Sequence, residues 1–196
     1  MEPMRQASIT RQTKETTIVV NLNIDGTGTH NIQTSLPFLT HMLELFARHG
    51  YFDLTVEASG DTNVDGHHLA EDLGIVLGQA FAQALGDKKG ISRYGSHLTP
   101  MDESLILIAL DISNRAHLEY DVTFTTGLHQ FDIALIKEFF AAFVNHAGLT
   151  LHIKMLNGDN AHHIIEAIFK GLAKALASGV TLNPRETGVP STKGIL

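Results

Sequence analysis

The sequence predicts an α+β protein of two similar half-domains, each a mostly antiparallel sheet with helices on one face, and three observations carry that expectation. The first is an internal duplication. A shift of 97 residues lays His41 on Glu138, Phe46 on Phe143, His49 on His146, Leu54 on Leu151 and Val56 on Ile153. After a loop two residues shorter in the second copy, a shift of 95 lays Asp65 on Asn160, His67-His68 on His162-His163 and Glu71 on Glu166. Two registers separated by one deletion are the mark of a repeated unit. The second observation is the order of signals in each half, strands and then helices, which puts the helices on one side of a sheet. The third is size: 196 residues, 43% of them hydrophobic, fit one compact domain or two small halves sharing a core. The expected division is 1–90, 91–182 and an extended C-terminal arm over 183–196, forming one functional domain overall.

Each element has a local reason. Thr16–Ile24 alternates apolar and polar residues and stops at the turn signal Asp25-Gly26, so it reads as a strand. Ser35 as N-cap and Pro37 in the first turn open a helix whose apolar stripe, Phe38, Leu39, Met42, Leu43 and Phe46, runs to Gly50. A short strand over Asp53–Ala58 and a Gly/Asp/Asn loop lead into a long helix from about His67 to Leu85, closed by Gly86. In the second half Leu105–Leu110 and Leu118–Phe124 read as strands broken at Ser113-Asn114. Asp132 to Ala147 repeats the first helix, Thr150–Leu156 the short strand, and His162–Ser178 the closing helix. The tail from Asn183, with Pro184, Gly188, Pro190 and Gly194, reads as an extended arm.

Composition narrows the chemistry. With 12 histidines and no cysteine, any metal must sit on imidazole and oxygen. A net charge of −7 with no basic run argues against nucleic-acid binding, which depends on neutralising phosphates. The longest aliphatic run, Leu105–Leu110, is far short of the roughly 20 residues of a membrane helix, and Met1–Ser8 lacks the apolar stretch of a secretory signal. A cytoplasmic protein without membrane or nucleic-acid partners is the expectation.

The two HHxxE segments, His67-His68-Leu69-Ala70-Glu71 and His162-His163-Ile164-Ile165-Glu166, are the sharpest feature. On a helix the first His and the Glu are four residues apart and the second His and the Glu three, so the carboxylate neighbours both rings. Adjacent histidines diverge by about 100° and cannot easily bind one ion, so each helix offers ligands to two metals. Asp65 and Asn160 are expected N-caps, and the positive helix end is expected to keep the imidazoles neutral. Nitrogen and carboxylate donors without sulfur suit Mn²⁺, Fe²⁺, Zn²⁺ or Ni²⁺. His41 and Glu138, equivalent by the repeat, are further candidate ligands. A metal-buffering protein and a dinuclear metallohydrolase both use such donors.

An ordered set of segments resembles the imidazoleglycerol-phosphate dehydratase family: Arg11-Gln12-Thr13-Lys14-Glu15-Thr16, Leu36-Pro37-Phe38 with His41-Met42-Leu43, and Asp65-Gly66-His67-His68 with Glu71. It continues in Arg93-Tyr94-Gly95-Ser96, Pro100-Met101-Asp102-Glu103, Asn160-Ala161-His162-His163 with Glu166, and Pro190-Ser191-Thr192-Lys193-Gly194. The resemblance implies a hydro-lyase of L-histidine biosynthesis that converts D-erythro-imidazole glycerol 3-phosphate to imidazole acetol phosphate through a metal-bridged imidazolate. It further implies metal ligands at His41, His67, His68, Glu71, Glu138, His162, His163 and Glu166, with two Mn²⁺ per active site. Substrate contacts would fall on Glu15, Arg93, Arg115, Ser191 and Lys193, and Glu15, Glu71 and Glu166 are the candidate proton-transfer groups. Members form 24-subunit assemblies with active sites between subunits. Three positions depart from the family pattern: Thr40 stands where Asp is usual, Glu138 where many members have His, and His97 where a small residue is common.

Overall fold

The computed structural model describes residues 4–196; the first three residues of the Met1–Ser8 segment lie outside it. Among the described residues, eight strands and four helices follow in the order β1 (Gln6–Gln12), β2 (Thr16–Asn23), β3 (His30–Thr34), α1 (Pro37–Gly50), β4 (Asp53–Gly60), α2 (His67–Leu85), β5 (Tyr94–Met101), β6 (Ser104–Asp111), β7 (His117–Asp121), α3 (Ala134–Ala147), β8 (Thr150–Asn157) and α4 (Ala161–Val180). The first sheet has strand order β1-β2-β4-β3 and the second β5-β6-β8-β7. Their topologies match strand for strand, with one parallel pair in each, β3 with β4 and β7 with β8. This is a duplicated α+β fold.

Period-two burial explains the sheets. Ile18, Val20 and Leu22 on β2 are buried and pair with Ala58, Val56 and Leu54 on β4, while Thr17, Asn21 and Glu57 face outward. The helices lie between the two sheets and pair across the halves, α1 with α4 and α2 with α3, while α2 covers β1 and β2 and α4 covers β5 and β6. The halves therefore share one core, in which Phe81 of α2 meets Phe143 of α3 edge to face at 5.6 Å between ring centroids. Glycine permits the close crossing of α2 and α3: a Cβ on Gly78 would lie 2.6 Å from the Phe143 carbonyl oxygen, and one on Gly74 would strike that of Phe139.

Several local expectations change. β1, β3 and β5 are strands that the apolar pattern does not announce, because they carry few buried aliphatic residues: β3 buries only Ile32. β7 ends at Asp121, earlier than the expected Phe124. Ser35 does not cap α1; Leu36 occupies that position, and the Thr34 hydroxyl, which accepts from the Leu36 amide, lies 2.8 Å from the Thr40 hydroxyl. Thr40 is thus part of the helix start. Asp65 stands one residue before the α2 cap, Gly66, yet its carboxylate still accepts from the His67 amide at 2.8 Å. Asn160 caps α4 as expected, accepting from the amides of His162 and His163.

Gly74→Val should lower stability by about 1–3 kcal/mol, since the added methyls meet backbone that cannot retreat. Denaturant unfolding measures this, and an unchanged midpoint would contradict the packing described.

Candidate active site

The helices start at one end of the molecule, and three of the candidate ligands converge there. Gly66, at the start of α2, lies against Leu36 at the start of α1 and Leu135 in the first turn of α3. Phe38 of α1 stands edge-on to His162 of α4 at 5.3 Å. One result is a three-residue cluster in which His41, His162 and Glu166 each direct a ligand atom to within 4.8 Å of the others. The His162 Nε2 is 3.3 Å from the Glu166 carboxylate and the His41 Nε2 is 3.9 Å from it. Two imidazoles and a buried carboxylate, with no sulfur, form a donor set that fits a divalent ion preferring nitrogen and oxygen. Glu166 is also ion-paired with Lys170 one turn on. Burial pushes its pKa up, but Lys170, His162 and His41 outweigh that and hold it below the ordinary value.

The first half repeats the arrangement loosely. His67 Nε2 lies 3.8 Å from Glu71, and both side chains are about half exposed. Glu138, the counterpart of His41, is exposed on α3, and among the described residues it joins no three-ligand group. The position matching Lys170 is Ile75, so Glu71 has no lysine beside it on the helix.

The second histidine of each pair turns away from the first, the rings being 6.2 Å apart in α2 and 6.4 Å in α4 and nearly perpendicular. His68 meets Asp61, with Nδ1 at 3.1 and 3.3 Å from its two carboxylate oxygens, and His163 Nδ1 lies 2.7 Å from Glu103 Oε2. At the second histidine of each pair the pull of the helix end, expected to keep the ring neutral, is opposed: hydrogen bonds to Asp61 and Glu103 raise the pKa of His68 and His163. In return the His163 bond draws the Glu103 carboxyl down to about 2. Short-range carboxylates outweigh the partial charge of a helix terminus. Glu15 is exposed in the β1–β2 turn, whose carbonyl accepts from the Asp61 amide, and its charge reaches His68.

The candidate phosphate-binding cations lie elsewhere. Arg93 forks onto Asp111 at 2.6 and 3.0 Å and donates its third contact to the Pro190 carbonyl at 2.8 Å. Arg115 approaches the same Asp111 at 3.3 Å and is largely exposed. Ser191 and Lys193 follow Pro190 on the arm, and the Ser191 hydroxyl accepts from the Lys193 amide. This group sits at the far end of β6 from Glu103, a strand of eight residues spanning roughly 23 Å. His97 lies in β5, bonded to Thr99 at 2.9 Å and apart from both groups.

Sequence reasoning overlooks Asp61, Glu103, Lys170 and Asp111. Glu103 stands inside the Pro100–Glu103 segment and Lys170 four residues after Glu166, so spacing marked the lysine. Asp61 and Glu103 reach their histidines from loops, which no helical period reveals.

A model of the imidazoleglycerol-phosphate dehydratase family matches residues 34–176. Relatives named imidazoleglycerol-phosphate dehydratase include one from Methylorubrum populi, 57% identical over 98% of this chain and 100% of its own length, and one from Bacillus pumilus, 54% identical with the same coverage. Among solved structures, the enzyme of that family from Pyrococcus furiosus aligns over 96% of this chain and 100% of its own with TM-score 0.84 and 38% identity. The Staphylococcus aureus structure aligns over 91% and 99% with TM-score 0.83 and 38% identity.

Arg93→Met removes the charge-assisted bonds that hold the arm through Pro190, so trypsin should cut after Arg185 and Lys193 about tenfold faster. An arm cleaved at the original rate would contradict this anchoring.

Proposed function

Since the chain belongs to the imidazoleglycerol-phosphate dehydratase family, we propose that it is a manganese-dependent dehydratase of imidazole glycerol 3-phosphate whose active sites form between copies of the chain. It is a hydro-lyase of histidine biosynthesis. The observation that carries the metal reading is the convergence of His41, His162 and Glu166 beside a His163 that faces another way.

Bound divalent ions would stabilise the anionic form of the substrate imidazole, which favours loss of the neighbouring hydroxyl where no carbonyl acidifies the carbon. The ligands would be His41, His67, His68, Glu71, Glu138, His162, His163 and Glu166, serving two Mn²⁺ per active site. Glu15 is the first candidate to move the carbon-bound proton, being an exposed carboxylate in the turn next to His68. Glu71 is the second, exposed and without a neighbouring lysine, whereas Glu166 is occupied by Lys170. Arg93, Arg115, Ser191 and Lys193 would hold the phosphate, Arg115 and Lys193 by exposed charge and Arg93 by its remaining donors.

Two observations support assembly. The His163–Glu103 pair and the proposed phosphate-binding cations around Asp111 stand at opposite ends of β6, a long reach for one small substrate, which favours a second copy supplying one of the two groups. In addition, the outer face of the second sheet pairs exposed Leu98 with exposed Leu107 and Pro100 with Leu105, whereas the first sheet turns Thr17, Asn21 and Glu57 outward. Such an apolar face suits burial against another copy. A 24-subunit particle of the family's kind, working in the cytoplasm, is the assembly we propose, with residues 1–90 and 91–182 as its two half-domains and 183–196 as the arm.

Chelation should abolish keto-product formation from imidazole glycerol phosphate, and added Mn²⁺ should restore it; His68→Ala and His163→Ala should each abolish turnover. Phosphate release in place of keto product, metal uptake without turnover, or wild-type activity in either variant would overturn the reading.

A further inference from the structure

The two halves are built alike, yet they hold their second histidines by unrelated means. His68 is met by Asp61, from the loop between β4 and α2 of its own half. His163 is met by Glu103, from the β5–β6 turn, 60 residues earlier in the chain. The register that lays β4 on β8 places Asp61 opposite Gly158, which has no side chain to offer a histidine. The contacts also differ in quality. Asp61 holds His68 at 3.1 and 3.3 Å with its charge shared over two oxygens. Glu103 holds His163 at 2.7 Å through Oε2, while its Oε1 accepts from the Ser104 hydroxyl at 2.9 Å and the Asn160 amide at 3.2 Å. Asn160 is itself the cap of α4, so the carboxylate, the helix start and the ring form one connected unit.

We propose that Asp61 and Glu103 are positioning residues that take the Nδ1 hydrogen of His68 and His163, leave Nε2 of each ring for a divalent ion, and make the ion held by His163 the more tightly bound of the two. A ring whose Nδ1–H is fixed on a carboxylate has its tautomer and orientation set, and the carboxylate raises the basicity of the nitrogen facing the metal. The shorter bond and the immobilised acceptor at Glu103 give His163 the greater share of both effects. The duplicated helices therefore present two unequal sites.

The inference rests on the metal-dependent reading above, and the two are separable in one experiment. Mn²⁺ is titrated into the intact protein and into the isosteric variants Glu103→Gln and Asp61→Asn, with the free ion counted from its electron paramagnetic resonance signal and the unfolding midpoint of each metal-free protein measured alongside. Wild type should bind two ions per chain with different affinities. Glu103→Gln should weaken the tighter class by about 10- to 100-fold, and Asp61→Asn should weaken only the looser class, both with unfolding midpoints unchanged. Wild type that binds no Mn²⁺ would sink the metal reading itself. Two ions bound by wild type and bound as well by both variants would overturn the positioning role alone, as would a loss of affinity matched by a lowered unfolding midpoint.

Discussion

Two neighbouring residues on an α-helix point about 100° apart, and the arrangement at the helix-start end of this molecule follows from that angle. In each His-His pair the first ring stays with the glutamate one turn on, and the second ring must look elsewhere. His162 accordingly meets Glu166 and, across the interface of the halves, His41 of α1, while His163 stands nearly perpendicular to it against Glu103. A lone pair of this kind would be a surface accident. Held twice, at the starts of two helices that a duplicated fold brings to one end, it offers donors in more than one direction, as the metal reading proposed above requires.

The same fold that gathers the candidate metal ligands separates them from the candidate phosphate-binding cations. Chain direction fixes this: β6 begins beside Glu103 and ends at Asp111, where Arg93 and Arg115 converge and the arm is tied down through Pro190. A globally acidic protein thus keeps Arg93 and Arg115 around Asp111 at one end of β6 and the His163–Glu103 pair at the other. Duplication supplied the symmetry, and later divergence is visible where it matters chemically: Lys170 against Ile75, His41 against Glu138, and Glu103 reaching into a place that Asp61 fills in the other half.

Much of this was legible in the sequence, for identifiable reasons. The repeat, both HHxxE helices and the central strands β2, β4, β6 and β8 carry strong apolar periods, because each is packed against the shared core. β1 and β3 were hidden because edge strands with one wet face need few aliphatic residues, as Gln6–Gln12 illustrates with only Ala7 fully buried. Capping shifted by one residue at α1 and α2, where a threonine or an aspartate outside the cap position does the bonding. The electrostatic expectation was incomplete at His68 and His163 for a physical reason of the same kind. It counted the helix terminus, a local feature, and missed carboxylates delivered from loops.

Division of the active site between copies of the chain is the claim on which the functional account stands, and subunit complementation tests it most directly. His163→Ala and Arg93→Ala variants, each inactive alone, are co-expressed so that mixed particles form, and dehydratase activity is measured. The account predicts that activity returns in the mixed particles, because intact metal ligands of one chain meet intact phosphate-binding residues of another. Mixed particles as inactive as either parent would contradict it.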